Sequence, residues 1–290
     1  MRERAQRFDP RQTMHNQDFE IFHYREPKPD IVEVHHHDFY EVYFFLGNEI
    51  EYWVDGHIFH LQAGDLLLIS PMELHRPIVN PDSPVYERIV LWINKSYLEE
   101  ISGEEVNLTR CFDNNLATHC NLLRPTGVQR SEIMTRMSEL VRESYGQDYG
   151  NRLCASGILL QLMVELNRMA LHSASHPALQ EEAQEEAPLL ISRVLDYIGE
   201  HYNEDLSLEG LAQRFYVSKY HLSHEFTRAV GVGVYRYIML KRLLIAKQML
   251  TAGSNPGEVY TLCGFRDYTN FYRAFKAEYG ISPSACASGK

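Results

Sequence analysis

The chain has 290 residues, 44% of them hydrophobic, enough for two domains of ordinary size with buried cores. No apolar run reaches membrane-span length, the polar N-terminus lacks the apolar stretch of a secretory signal, and five widely spaced cysteines without a C-x-x-C argue against a disulfide framework or zinc module and predict a cytoplasmic protein. The net charge of −11 is uneven: residues 190–290 hold 12 Lys+Arg against 9 Asp+Glu, a net of +3 that leaves −14 on the remainder, so the total does not speak against a nucleic-acid partner.

Residues 1–16 are expected to form a polar arm. Residues 17–112 read as strands: Glu41 to Phe45, Glu49 to Val54, His57 to Leu61 and Asp65 to Ser70 are short runs rich in Val, Ile, Tyr and Phe. Leu46-Gly47-Asn48, Asp55-Gly56 and Ala63-Gly64-Asp65 separate them, and Asp55-Gly56 is a strong hairpin signal. This spacing predicts a small barrel or sandwich. Residues 113–172 read as helical. Ile133, Met137, Leu140 and Val141 mark one face within Arg130 to Tyr145, and Leu159, Leu162, Met163 and Leu166 mark another within Leu153 to Leu171. Residues 173–188 are acidic and proline-bounded, the composition of a linker.

Residues 189–290 predict an all-α domain with an internal repeat. Leu222, His224, Phe226 and Gly231 recur 49 residues later as Phe271, Arg273, Phe275 and Gly280, whereas Leu211-Ala212 recur 48 later as Val259-Tyr260. Each copy reads as helix, tight turn, helix, over 208–228 and 257–277. Ser218 and Asp267 are expected as N-caps. With Leu222 and Phe226 buried, Tyr220, Ser223, His224 and Thr227 point outward, joined by Lys219 at the helix start. In copy two, Tyr268, Thr269, Tyr272, Arg273 and Lys276 leave the Phe271–Phe275 face. Arg273 is the strongest base-reading candidate, since a guanidinium binds guanine O6 and N7 together. A spacer helix over Val234 to Leu250, roughly 25 Å long, would set two readers in successive major grooves about 34 Å apart. A helical bundle with a merely structural repeat has the same periodicity.

Residues 195–285 resemble the DNA-binding domain of the AraC/XylS family of bacterial regulators. The signature is Gly264-Phe265-x-Asp267-x3-Phe271-x-Arg273-x-Phe275-Lys276-x3-Gly280-x-Ser282-Pro283, preceded by Leu206-Ser207-Leu208-x2-Leu211-Ala212 and Val217-Ser218-x-Tyr220-x-Leu222-x3-Phe226. The resemblance implies base reading by Tyr220, Ser223 and His224 in copy one, and by Thr269, Asn270 and Arg273 in copy two. It also implies double-stranded promoter DNA, RNA polymerase and a second copy of the chain as partners, activation more than repression, and no enzymatic activity. The helices of residues 113–172 resemble the family's dimerisation element, with two coverings open for the face around Leu159, Leu162, Met163 and Leu166: a second copy, or the chain's own barrel. Three departures stand out: Tyr260 where the family has Ala, Cys286-Ala287 for Tyr-Arg, and Tyr216 in a turn that favours Gly.

His35-x-His37-x3-Glu41 and Gly64-Asp65-x4-Ser70-Pro71-x3-His75 resemble the two motifs of the cupin barrel. The expected architecture is therefore α+β: a cupin-like barrel, helices, then the all-α domain with two helix-turn-helix motifs. Strand alternation sets His35 and His37 on one face and leaves His36 exposed on the other. On an AraC-type regulator such a barrel implies a sensor for a small effector, a sugar or related metabolite, gripped by His35, His37, Glu41, Tyr43, Trp53 and His75, with Trp92 as a further aromatic wall. No cofactor is expected on that reading. Two alternatives stay open: a structural role for the histidines, or a divalent metal on His35, His37, Glu41 and His75, the latter in a metal-dependent cupin enzyme with a helical appendage.

Overall fold

The computed structural model describes residues 13–26, 32–79, 85–103, 105–114, 116, 119–174, 184–186 and 189–288. The chain divides into two compact units, residues 1–185 and 186–290. Most of the expected N-terminal arm and of the expected linker lies outside the described residues.

Nine short strands are described: β1 (Phe19–Glu26), β2 (Tyr40–Phe45), β3 (Glu49–Val54), β4 (His57–Gln62), β5 (Leu66–Ile69), β6 (His75–Ile78), β7 (Tyr86–Ile93), β8 (Leu122–Leu123) and β9 (Gln184–Glu186). They form a sheet of order β1-β7-β2-β5-β8 and a second of order β6-β3-β4-β9. The Asp55-Gly56 turn closes the β3–β4 hairpin with positive φ at both residues, 40° and 101°, as a tight two-residue turn requires. Two strands fall where none is expected. β8 lies in the supposedly helical region and pairs with β5, and β9 lies in the supposed linker. Both are too short for alternation to show in the sequence.

Every residue of β2 and β5 is buried, because the first sheet is covered on both faces. Successive side chains point to opposite faces. A short helix, α1 (Lys95–Glu100), follows β7. Tyr40, Val42, Phe44, Leu66, Leu68, Ile89 and Leu91 join the core shared with the helices α2 (Gly127–Tyr145) and α3 (Asn151–Ala174). Tyr43, Phe45, Leu67, Ile69, Val90 and Trp92 join a second core with Ile50, Tyr52, Val54, Phe59 and Leu61 from the other sheet. On α2 the buried residues are Ile133, Met137, Leu140 and Val141, the face read from the sequence. Leu159, Leu162, Met163 and Leu166 of α3 are fully buried against the chain's own sheet. They are satisfied without a partner, so this face gives no support to a dimer. Asp65, buried, accepts from Gln62 N at 2.8 Å and from Arg124 Nη2 at 2.8 Å, fastening the approach to α2 onto the β4–β5 corner.

The second unit is all-helical. Helix Leu189–His201 is followed by Leu208–Arg214 and the first reader helix Lys219–Val230. The spacer helix Val234–Thr251 leads to Pro256–Leu262, the second reader helix Tyr268–Tyr279 and a last turn, Pro283–Ala287. The duplication extends to the caps. Ser218 Oγ accepts from His221 N at 3.1 Å and Asp267 Oδ1 from Asn270 N at 2.8 Å, while Gly231 and Gly280 end the two reader helices with φ of 91° and 72°. The turns differ. Tyr216 holds φ 57° in the first, and Gly264 holds φ 79° at the matching place in the second. A Cβ on Gly264 would stand 2.7 Å from the carbonyl oxygen of Asn203. The side chain of Tyr216 is 95% exposed and gains no packing in return for its left-handed backbone. Tyr216→Gly is therefore expected to stabilise the protein by about 0.5–1 kcal/mol in urea denaturation. Gly264→Ala should destabilise it by about 2–3 kcal/mol, because strain and clash add.

Candidate functional site

The reader helices are amphipathic, and their polar faces are open. In the first, Leu222 and Phe226 are buried, while Lys219, Tyr220, His224 and Thr227 are exposed and Ser223 is half-buried. Tyr220, Ser223, His224, Thr227 and Arg228 border one open recess of about 450 Å³. Arg228 was not expected there, although its i+4 spacing from His224 places it on the same face. His224 Nδ1 contacts Glu225 Oε1 at 3.0 Å and Lys219 Nζ contacts Glu209 at 2.8 Å. Exposed pairs of this kind are worth about 0–1 kcal/mol, so both side chains exchange readily to a phosphate or base. In the second helix Phe271 and Phe275 are buried, and Tyr268, Thr269, Asn270, Arg273 and Lys276 are exposed. Arg273 Nη2 donates to Asn270 Oδ1 at 2.7 Å, which holds the guanidinium against the N-terminal half of the helix. Tyr260 stands edge-on to Tyr268 with ring centroids 5.8 Å apart, bracing that helix's first turn.

In the first unit the structure gathers His37, Glu41 and His75. His35 and His75 bridge through their backbones, at 3.1 and 2.9 Å. Residues 35–37 form no regular strand, so alternation does not apply, and His36 is buried, not exposed. The His37 and His75 ring centroids are 4.8 Å apart, and His37 stacks on Phe39 at 4.0 Å. His37 Nδ1 faces the Phe39 carbonyl oxygen at 2.9 Å, and His75 Nδ1 faces that of Glu73 at 2.8 Å. A carbonyl only accepts, so each Nδ1 carries a hydrogen, and the His75 ring, held neutral by burial, turns an Nε2 lone pair inward. Glu41 Oε2 accepts from Trp92 Nε1 at 2.8 Å and lies 3.3 Å from His37 Nε2. Burial holds His75 well below the usual imidazole range, and the neighbouring His35 and His37 rings push it the same way. His35 is held down to about 4, by desolvation first.

These residues fit a divalent metal. One ligand atom each from His37, Glu41 and His75 lies within 4.8 Å of the others, all three side chains are buried, and His75 Nε2 has no hydrogen-bond partner. His35 stands beside His75, with centroids 4.3 Å apart, but contributes no atom to this group. Trp53, expected as an aromatic wall, shares its strand face with Glu49 and Glu51 and stays outside the inter-sheet core; Tyr52 takes the inward place. Tyr43 is inward and bonds hydroxyl to hydroxyl with Tyr86 at 2.6 Å. Arg88 lies on the inward face of β7, 4.0 Å from the Tyr86 ring centroid and 2.7 Å from Glu26. Tyr52, Tyr86 and Arg88 escaped the sequence reading, though alternation from Ile50 and Trp92 marks them.

A β-rich unit with a polar interior joined to a duplicated helix-turn-helix unit defines a ligand-sensing DNA-binding regulator. Residues 16–163 match the AraC-like ligand binding domain, and residues 211–288 match a helix-turn-helix domain. The chain belongs to the AraC family of transcription regulators. It is 22% identical over 264 residues to the HTH-type transcriptional activator RhaS of Escherichia fergusonii, covering 88% of this chain and 87% of the relative. It is 27% identical over 242 residues to the arabinose operon regulatory protein of Salmonella typhimurium, covering 81% and 78%. A solved structure of ToxT from Vibrio cholerae with bound unsaturated fatty acid aligns over 95% of this chain and 96% of its own, at 12% identity and a TM-score of 0.39.

Tyr260 supplies an aromatic contact worth about 0.5–1.5 kcal/mol beyond its area. Tyr260→Ala is expected to lower stability by about 1–2 kcal/mol in chemical denaturation. Faster amide hydrogen exchange over Tyr268–Tyr279 should report a loosened second reader helix.

Proposed function

We propose that this regulator reads promoter DNA with both reader helices and responds to a small polar effector, a sugar or related metabolite, held in the interior of the β unit. The observation that carries the DNA half is the pair of capped helices, 49 residues apart, each with a buried aromatic or aliphatic seam and an open polar face. The spacer helix of 18 residues spans about 27 Å, and the reader helices at its two ends extend the reach toward the roughly 34 Å between successive major grooves. The effector half is supported by the inward phenols of Tyr43, Tyr52 and Tyr86, the Arg88 cation and the His37–Glu41–His75 group. The arabinose operon named in one relative supports a sugar. Cytoplasmic action follows from the same reading, and no described helix is long and apolar enough to cross a membrane. Contact with RNA polymerase and activation belong to it too, as does pairing with a second copy, on a surface other than the buried face of α3.

Mobility shifts of the full chain on its adjacent promoter, at fixed salt, test the DNA half. Arg273→Ala should cost about 1–3 kcal/mol of discrimination at one base pair. Lys276→Ala should weaken binding evenly across sequences and reduce the salt slope by about one. Unchanged relative affinities across all single-base variants would remove Arg273 as a base reader. A thermal-shift screen of sugars and small acids tests the effector half, since a ligand that binds only the folded state raises Tm.

A further inference from the structure

We infer that the first reader helix changes its base preference with pH through His224: it selects guanine when the imidazole is protonated and a base offering an amino hydrogen when the imidazole is neutral. The inference rests on the proposed reading of His224 as a base contact and adds the rule by which that contact reads.

The two reader helices place different chemistry at one position. Arg273 of the second corresponds to His224 of the first, 49 residues earlier. A guanidinium is always charged and only donates, so it reads guanine O6 and N7 at any pH. An imidazole changes charge between about pH 5 and 8, and one of its nitrogens changes from acceptor to donor with it. Arg273 is held by Asn270, three residues earlier. His224 has His221 at that place and is held instead by Glu225.

This contact decides which nitrogen changes role. Glu225 Oε1 lies 3.0 Å from His224 Nδ1, and Arg228 Nη2 lies 2.5 Å from Glu225 Oε2. The bond to His224, more than the charge of Arg228, holds the Glu225 carboxyl below its usual range. A carboxylate only accepts, so Nδ1 carries a hydrogen in both charge states. The variable proton therefore sits on Nε2, at the tip of the ring. As an acceptor Nε2 matches the amino groups of adenine N6 and cytosine N4; as a donor it matches guanine N7 and O6. The His224–Glu225 pair is exposed and weak, but a base reached through Nε2 does not compete for Nδ1.

Nothing from another element intervenes. The side chain of His224 is 62% exposed. It borders the open recess with Tyr220, Ser223, Thr227 and Arg228, all of the same helix. The titratable and charged groups around it are thus Tyr220, whose ring lies nearly parallel at 6.4 Å, and His221, Glu225 and Arg228. From the packed helix Leu208–Arg214, Glu209 reaches this helix only at Lys219, which takes it at 2.8 Å.

The test measures relative affinities of the full-length protein for its adjacent promoter and all single-base variants of it, at about pH 6 and about pH 8 and one salt concentration. At one base pair under the first reader helix, guanine should gain about tenfold over adenine and cytosine as the pH falls, the worth of a charged hydrogen bond. The base pair read by Arg273 should keep its preference. Protonation of histidines elsewhere shifts all duplexes together and cancels in the ratios. His224→Arg should prefer guanine equally at both pH values, and His224→Gln should lose the pH dependence at that base pair. Sequence-specific binding whose base preferences are the same at both pH values overturns the inference and leaves the base-reading proposal standing. A pH-dependent preference that survives in His224→Gln also overturns it, placing the switch on another group. Binding with no sequence preference at either pH overturns both.

Discussion

The first sheet is buried on both faces, and the rest of the ligand-binding unit follows from that constraint. Strands β2 and β5 have no exposed residue, so alternation cannot sort polar from apolar; it sorts one core from another. Odd-numbered residues of β1 and β7 meet the helices, and even-numbered ones meet the second sheet. A polar side chain on the inward face therefore has no route to water and must be satisfied inside. Glu41 is such a residue: Trp92 meets one of its oxygens, and His37 lies against it. The inward Arg88 is answered by Glu26 and by the ring of Tyr86. The polarity of the interior is thus set by a few strictly placed groups in a wall of aromatic rings, the composition of a site that orients a small ligand.

The DNA-binding unit obeys a different constraint, that of a repeated motif serving two unequal halves. Both reader helices begin on a capping oxygen and end on a left-handed glycine. The turns preceding them have diverged for a packing reason. Arg242 of the spacer helix donates to the carbonyls of Tyr202 and Glu204, at 2.7 and 2.6 Å, and holds residues 202–204 in place. That segment presses on Gly264, where a side chain has no room. The turn of the first copy faces solvent, and Tyr216 is tolerated there at the cost of a strained φ. Glycine at 264 is therefore fixed by contact as well as by dihedral angle, whereas at 216 only the dihedral angle is at stake.

Much of this was legible in the sequence, and the failures have physical causes. The β3–β4 hairpin followed from Asp55-Gly56, the α2 face from the spacing of Ile133 to Val141, and the reader helices from their caps and aromatic seams. Strand β3 carries adjacent aromatics, Tyr52 and Trp53, and both are buried, so composition does not say which of them faces inward. A one-residue change of parity moves a side chain to the other face, and only the pairing of Tyr52 with Phe59 and Pro77 fixes it. Alternation predicts His36 outward, but residues 35–37 form no regular strand and the side chain is buried. The apolar stripe of α3 said that something covers it and could not say what; the answer is the chain's own sheet. Strands β8 and β9, of two and three residues, are defined by their partners and have no local signal of their own.

These features also decide where a ligand in the barrel can act. Only a difference in affinity between two arrangements lets a ligand shift their populations. The segment carrying His35 and His37 is held to the barrel by the paired backbone bonds of His35 with His75 and by Met72 N to the His37 carbonyl at 2.8 Å. Regions with few such bonds open at lower free energy than the strands they border. A ligand or ion that joins His37 to Glu41 and His75 ties this segment to β2 and to β6 simultaneously. Its binding energy falls on a segment held by few backbone bonds, whereas the same contacts placed wholly within β2 and β7 would fall on strands already paired along their length. His37 thus lies outside the regular strands yet inside the barrel, with its fixing contacts spread over two neighbouring strands.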